Sequence, residues 1–156
     1  MQSKVVSIHI ASKKEVPLVS VPEVEAVAGR GLRGDRYYDA GGTFSRGGNA
    51  PDRHVTLIEA EAIDALGRDY TVQIDPGQAR RNIVTRGVAL NHLVGREFVV
   101  GPVRLRGIKL CEPCGHLARL TSEQTSGGLV HRGGLRSQIL NDGIIRVGDE
   151  VRLTGD

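Results

Sequence analysis

The sequence predicts a mainly β protein: a small closed or partly open β-barrel with one or two short helices. Two observations carry that expectation. Short strand-like runs are separated by Gly, Pro and Asn-Asp punctuation, and glycine is abundant at 21 residues, as a chain of many tight turns requires. Helix-period stretches are too few to supply the crossovers of a fully parallel sheet. Aromatic residues make up only 3% of the chain and Trp is absent, so the core is to be built from Val, Leu, Ile and Ala.

Taken in order, Val5 to Ile10 reads as a first strand and Val21 to Ala28, alternating apolar with acidic or small residues, as a second. Gly29 to Gly48 carries seven glycines and several charges. That is long for a hairpin loop, and compact domains keep such loops for function. Val55 to Ile58 is strand-like and passes into Glu59 to Leu66, where Ala60, Ile63 and Leu66 share one helical face ended by Gly67. Asn82 to Thr85 is β-rich. Glu97 to Val100 and Val103 to Leu110 are joined at Gly101-Pro102, with Val103 and Leu105 inward and Arg104 and Arg106 outward. Leu135 to Leu140 and Gly143 to Val147 flank an Asp-Gly turn and predict a hairpin, and Glu150 to Leu153 predicts a last strand.

The 156 residues, with 39% apolar and 25% charged content, suit one compact soluble domain over residues 1–156. A formal charge of +3 is small, and the basic residues are scattered among acidic ones where a nucleic-acid stripe would gather them. No nucleic-acid partner is expected. No apolar run approaches a membrane span of roughly 18 residues, and the amino terminus does not resemble a signal peptide. The expected setting is therefore cytoplasmic, with no membrane partner.

Both cysteines lie in Leu110-Cys111-Glu112-Pro113-Cys114-Gly115-His116, which concentrates the soft-sulfur chemistry of the chain at one spot. A CxxC pair after a strand allows several readings. It can supply half of a zinc site completed by histidines from His116, His131 and His54, although no familiar spacing supports that set. It can be a thiolate that attacks a substrate or ligates a cofactor metal. It can also be two buried small apolar side chains, against which Glu112, Pro113 and His116 argue by indicating a turn. A helix start there would lower a thiol pKa.

Arg80-Arg81-Asn82 offers two guanidinium forks to an oxyanion and an amide to a carbonyl or heterocycle edge; the bland alternative is a solvated basic turn. The glycine-rich segment adds Arg30, Arg33, Asp35, Arg36 and Arg46, yet matches neither a P-loop nor a dinucleotide fingerprint. His54 and His131-Arg132 stand near turns, where a single histidine is ordinarily structural.

These segments, in this order, resemble the MOSC domain, the module related to the C-terminal part of molybdenum-cofactor sulfurase. The likeness is carried by Gly31-Leu32-Arg33-Gly34-Asp35-Arg36, Pro51-Asp52-Arg53, Arg80-Arg81-Asn82-Ile83, Leu93 to Phe98, Cys111-Glu112-Pro113-Cys114 and Gly143 to Asp149. The resemblance implies a free-standing, barrel-like MOSC protein that binds the molybdenum cofactor. Cys114 would ligate the metal or carry sulfane sulfur, Cys111 would be an auxiliary thiol, and His116 would help activate the thiolate. Arg80 and Asn82 fall where the family holds the pterin and phosphate, with Arg81 as a further anchor and Arg36, His54 and Arg132 as further cofactor-binding candidates. The implied activity is reduction of N-hydroxylated substrates with an electron-transfer partner, or sulfur transfer after loading by a cysteine desulfurase. The rival from another class is a zinc-bound CxxC interaction domain without catalysis.

Overall fold

The computed structural model describes residues 3–13, 16–40, 50–70, 74–111 and 132–154. Its strands are β1 (Lys4–Ile10), β2 (Val19–Val21), β3 (Glu23–Val27), β4 (Gly31–Leu32), β5 (Val55–Glu59), β6 (Ile83–Arg86), β7 (Glu97–Val100), β8 (Val103–Leu110), β9 (Leu135–Ile139), β10 (Gly143–Arg146) and β11 (Val151–Leu153). Helix α1 covers Arg36–Ala40 and α2 covers Ala60–Tyr70. The expected mainly β, barrel-like architecture is the observed one.

Eight strands form one sheet in the order β11-β7-β8-β9-β5-β6-β1-β2, and β10-β3-β4 form a second. The large sheet curls back on itself. Val5 N–H donates to the Asp149 carbonyl at 2.8 Å, Gly148 N–H to the Val5 carbonyl at 2.9 Å and Val151 N–H to the Ser3 carbonyl at 2.9 Å. This seam brings β1 against the chain entering β11, so the sheet edges meet as in a barrel. Period-two alternation explains the interior. Along β8, Val103, Leu105 and Gly107 are buried while Arg104 and Arg106 face solvent. The inward residues of the strands join Phe98 and Leu93 in one apolar cluster.

Strand β5 is buried on both faces. Val55 and Leu57 point into the barrel cluster, whereas Ile58 joins Ala60, Ile63, Leu66 and Val84 in a second cluster beneath α2. That helix therefore carries a crossover, and β5 and β6 pair in parallel. A single short helix suffices for one parallel pair within an otherwise antiparallel sheet. It also runs through Gly67 to Tyr70 and does not stop at Gly67. Packing of Ile63 and Leu66 outweighs the roughly 1 kcal/mol that an interior glycine costs.

Two further expectations are corrected. The run from Val21 to Ala28 is divided by Pro22 between β2 and β3, which lie in different sheets. Strands β9 and β10 exist but do not form a hairpin: β9 sits between β8 and β5, and β10 pairs with β3. The Asn-Asp side chains explain the detour. Asn141 Oδ1 accepts from Arg104 N–H at 2.6 Å and Asp142 Oδ1 from Ala28 N–H at 2.8 Å, so the turn is fastened to two other strands and passes the chain between sheets. Among the described residues no helix is long and apolar enough to cross a membrane.

Candidate functional site

The two arginines and Asn82 follow a single 3-10 turn, Pro76–Ala79. Its start is closed reciprocally: the Asp75 carboxylate accepts from the Gln78 backbone, and Gln78 Oε1 accepts from Asp75 N–H at 2.7 Å. The turn ends at Arg80, whose φ of 60° and ψ of 34° are left-handed. Arg80 is the one non-glycine residue at positive φ among the described residues. That conformation costs an L-residue about 1–2 kcal/mol, and such strain is tolerated where the surroundings impose it, commonly at functional sites. Arg80 N–H donates to the Gly77 carbonyl at 3.1 Å. Gly77 in turn packs on His9, since a Cβ there would lie 3.3 Å from His9 Nδ1. Burial holds the His9 imidazole pKa below its usual value.

Three guanidinium groups converge on this turn. Arg80 is buried, and its Nη1 donates to the Val16 carbonyl at 2.7 Å. Arg36 Nη2 and Arg81 Nη1 both reach the Arg80 carbonyl, at 3.4 Å and 3.5 Å. Arg36 is fixed by a buried ion pair with Asp35, Nη1 to Oδ1 at 3.0 Å, and stacks on the Tyr37 ring. Asp35 Oδ1 also accepts from Ala11 N–H at 3.0 Å, so the glycine-rich segment is tied to the end of β1. Burial, and after it the charge of Arg36, lower the Arg80 pKa from the ordinary arginine value. A group whose charge is disfavoured in this way gains from an anion.

Arg81 reaches the other side of the barrel end. Its Nε donates to the Gly133 carbonyl at 2.7 Å and its Nη2 to the Cys111 carbonyl at 3.4 Å. Cys111 N–H donates to the Gly134 carbonyl at 2.7 Å. Gly134 has a φ of +115°, and a Cβ there would fall on the Leu57 carbonyl oxygen, so only glycine lets the chain pass so close to β5. Arg81 thus holds together the two points where the segment 112–131 departs and returns.

Asn82 has 0% exposure. Its Oδ1 accepts from Thr56 N–H at 3.0 Å and from Thr56 Oγ1 at 3.1 Å, and its Nδ2 donates to the His9 carbonyl at 3.1 Å. Both acceptor sites and one donor are committed, and the amide bridges β1 to β5 at the head of β6. The structure therefore brings Arg36, Arg80, Arg81, Asn82 and the Cys111 backbone to one end of the barrel. Cys111 itself is buried. Arg132 is exposed beside Gly133, and its charge is felt by Glu59, whose pKa is nonetheless raised, chiefly by burial and then by Glu61.

His54 is elsewhere. It is buried, and its Nδ1 accepts from Ile139 N–H at 3.0 Å, which places the ring proton of the neutral imidazole on Nε2. Cys114, His116 and His131 lie outside the described residues. Asp35, Thr56 and His9 complete the site without having been singled out as site residues. Asp35 has a local signal in its position before Arg36, whereas Thr56 and His9 meet Asn82 only through sheet pairing.

The fold and the arginine cluster define a small barrel-like protein with a basic, strained turn beside its CxxC strand. The chain belongs to the MOSC domain family, whose match spans residues 45–152. It is similar in fold to YuaD from Bacillus subtilis, with a TM-score of 0.80 and 17% identity over 97% of this chain and 94% of that one. It also resembles YiiM from Geobacillus stearothermophilus, with a TM-score of 0.72 and 16% identity over 97% and 75% of the two chains. YiiM from Escherichia coli gives a TM-score of 0.69 and 17% identity over 100% and 71%. At these identities the likeness concerns the fold. No curated protein matches the chain.

Proposed function

We propose that this protein binds the molybdenum cofactor at the Arg80 turn and uses Cys114 as the thiolate that ligates the metal or carries sulfane sulfur. The observation that carries this reading is Arg80: a buried guanidinium on a left-handed residue, hydrogen-bonded among the described residues only to the Val16 carbonyl. The donor set fits an anionic pterin ligand. Arg80 supplies a fork for its phosphate, Arg36 and Arg81 hold the Arg80 peptide in place, and Asn82 acts behind them by fixing β1 to β5. When bound, the cofactor supplies a soft redox metal whose coordination a thiolate completes. Cys114 follows Cys111 by three positions in the sequence, and Arg81 contacts the Cys111 carbonyl.

Reduction of an N-hydroxylated substrate would draw electrons from a separate redox partner, and sulfur transfer would be loaded by a cysteine desulfurase; both use one accessible thiolate. The test is metal, pterin and intact-mass analysis of protein made in a cofactor-competent host. Molybdenum with pterin fluorescence, lost in Cys114→Ser and in Arg80→Ala, supports the reductase form. A persulfide on Cys114 supports the carrier form. Stoichiometric zinc, with unfolding on chelation, overturns both.

A further inference from the structure

The basic residues that look scattered in the sequence are gathered by the sheet. Val99 of β7 pairs with Arg152 of β11 on one side and Arg104 of β8 on the other. In the next rows Glu97 faces Arg106, and Lys109 faces Arg136 of β9. These positions alternate with buried Phe98, Val100, Val103 and Leu105, so they lie together on the outward face. The Arg104, Arg106 and Lys109 side chains are 54%, 48% and 60% exposed. Among the described residues, the five cations of these rows, Arg104, Arg106, Lys109, Arg136 and Arg152, meet two carboxylates, Glu97 and Asp52.

We propose that this face docks an acidic protein surface. A cationic surplus on one face steers and orients an oppositely charged partner. The chemistry favours carboxylates. Glu97 already bridges Arg104 Nη1 at 3.0 Å and Arg106 Nη2 at 2.7 Å, and each guanidinium keeps further N–H donors for a partner's acidic side chains. The rows hold no aromatic side chain on which a base could stack. The location also has a consequence. Lys109 lies two residues before Cys111 and Arg136 two after Gly134, so a docked partner abuts the barrel end where segment 112–131 departs and returns. The inference stands on the charge of this face and does not depend on cofactor binding at Arg80.

The experiment compares three probes by fluorescence anisotropy or vesicle cosedimentation at low ionic strength: poly-L-glutamate, a mixed-sequence single-stranded oligonucleotide and phosphatidylglycerol vesicles. Poly-L-glutamate should bind, and binding should weaken as salt screens the face. The double variant Arg104→Glu/Lys109→Glu should lose about tenfold or more in affinity. Arg104→Gln/Lys109→Gln, a milder change for folding, should fall between, and Arg68→Glu on α2, outside these rows, should bind as the parent does. Tighter binding of the oligonucleotide or the vesicles overturns the proposal. So does poly-L-glutamate binding that is absent, that survives charge reversal on β8, or that Arg68→Glu weakens equally.

Discussion

Arg81 donates from Nε to the Gly133 carbonyl at 2.7 Å, across 52 positions of sequence. With the contact of its Nη2 to the Cys111 carbonyl, this bond makes one side chain the tie between the two ends of the segment that carries Cys114. Hydrogen bonds from a charged donor contribute about 1.5–3 kcal/mol each. Arg81→Met should therefore destabilise the protein by about 3 kcal/mol, read as a lower urea midpoint. It should also speed hydrogen exchange at the Cys111 amide, which is bonded to Gly134. Unchanged exchange there would show that the two ends are held without Arg81.

Asn82 acts through strands that the sequence does not place together. Asn82→Ala leaves the Thr56 N–H and the His9 carbonyl without the partners they have now, and each orphaned buried group costs about 1–3 kcal/mol. An unfolding free energy lowered by about 3 kcal/mol is expected. Asn82→Asp keeps the acceptor toward Thr56 but faces the His9 carbonyl with an oxygen, so its stability should improve on acidification, when a protonated carboxyl can donate. Urea titrations at several pH values separate the two substitutions.

How much of this was legible follows from range. The alternation in β7 and β8 and the turn at Gly101-Pro102 are local patterns, and both strands lie where the pattern places them. The pairing of β9 with β5 and of β10 with β3 depends on Asn141 and Asp142 bonding to residues far away in sequence, and no local rule contains that. The same division holds in the site. Arg80 and Arg81 are visible as a basic pair before a strand. The left-handed turn that separates their directions, and the commitment of Asn82 to Thr56 and His9, exist only once β1, β5 and β6 are assembled. His54 is placed two residues before Thr56 by the sequence, but the use of its Nδ1 as the acceptor for Ile139 N–H is set only by the pairing of β5 with β9.

Two titrating groups give opposite pH slopes. Burial raises the Glu59 pKa, so the native state keeps a proton that the unfolded chain has released. Its contribution is complete below the unfolded value near about 4.3 and is lost as pH rises through the raised folded value. His9 is the mirror case. Its pKa is lowered by burial, so its contribution is present above the unfolded value of about 6.5 and is lost as pH falls through the lowered folded value. Glu59→Gln should remove the loss on raising pH, and His9→Gln the loss on lowering it. Urea midpoints across the acid-to-neutral range test both, and unchanged slopes would exclude these groups.

Arg80 allows conformation and chemistry to be separated with two substitutions at one position. Arg80→Ala and Arg80→Gly both remove the guanidinium and its bond to Val16, so both should lose anion or cofactor binding to the same degree. They differ in the backbone. Alanine keeps a Cβ on a residue at φ 60°, whereas glycine adopts that conformation without steric cost. Glycine also has more conformational freedom to lose on folding, which offsets part of the gain. The native turn is held by the Asp75–Gln78 capping box and the Gly77 carbonyl, so it persists in both variants. Arg80→Gly should be the more stable of the pair by about 1 kcal/mol. Equal stability would mean that the turn relaxes when the guanidinium is removed, and that the side chain itself imposes the left-handed backbone.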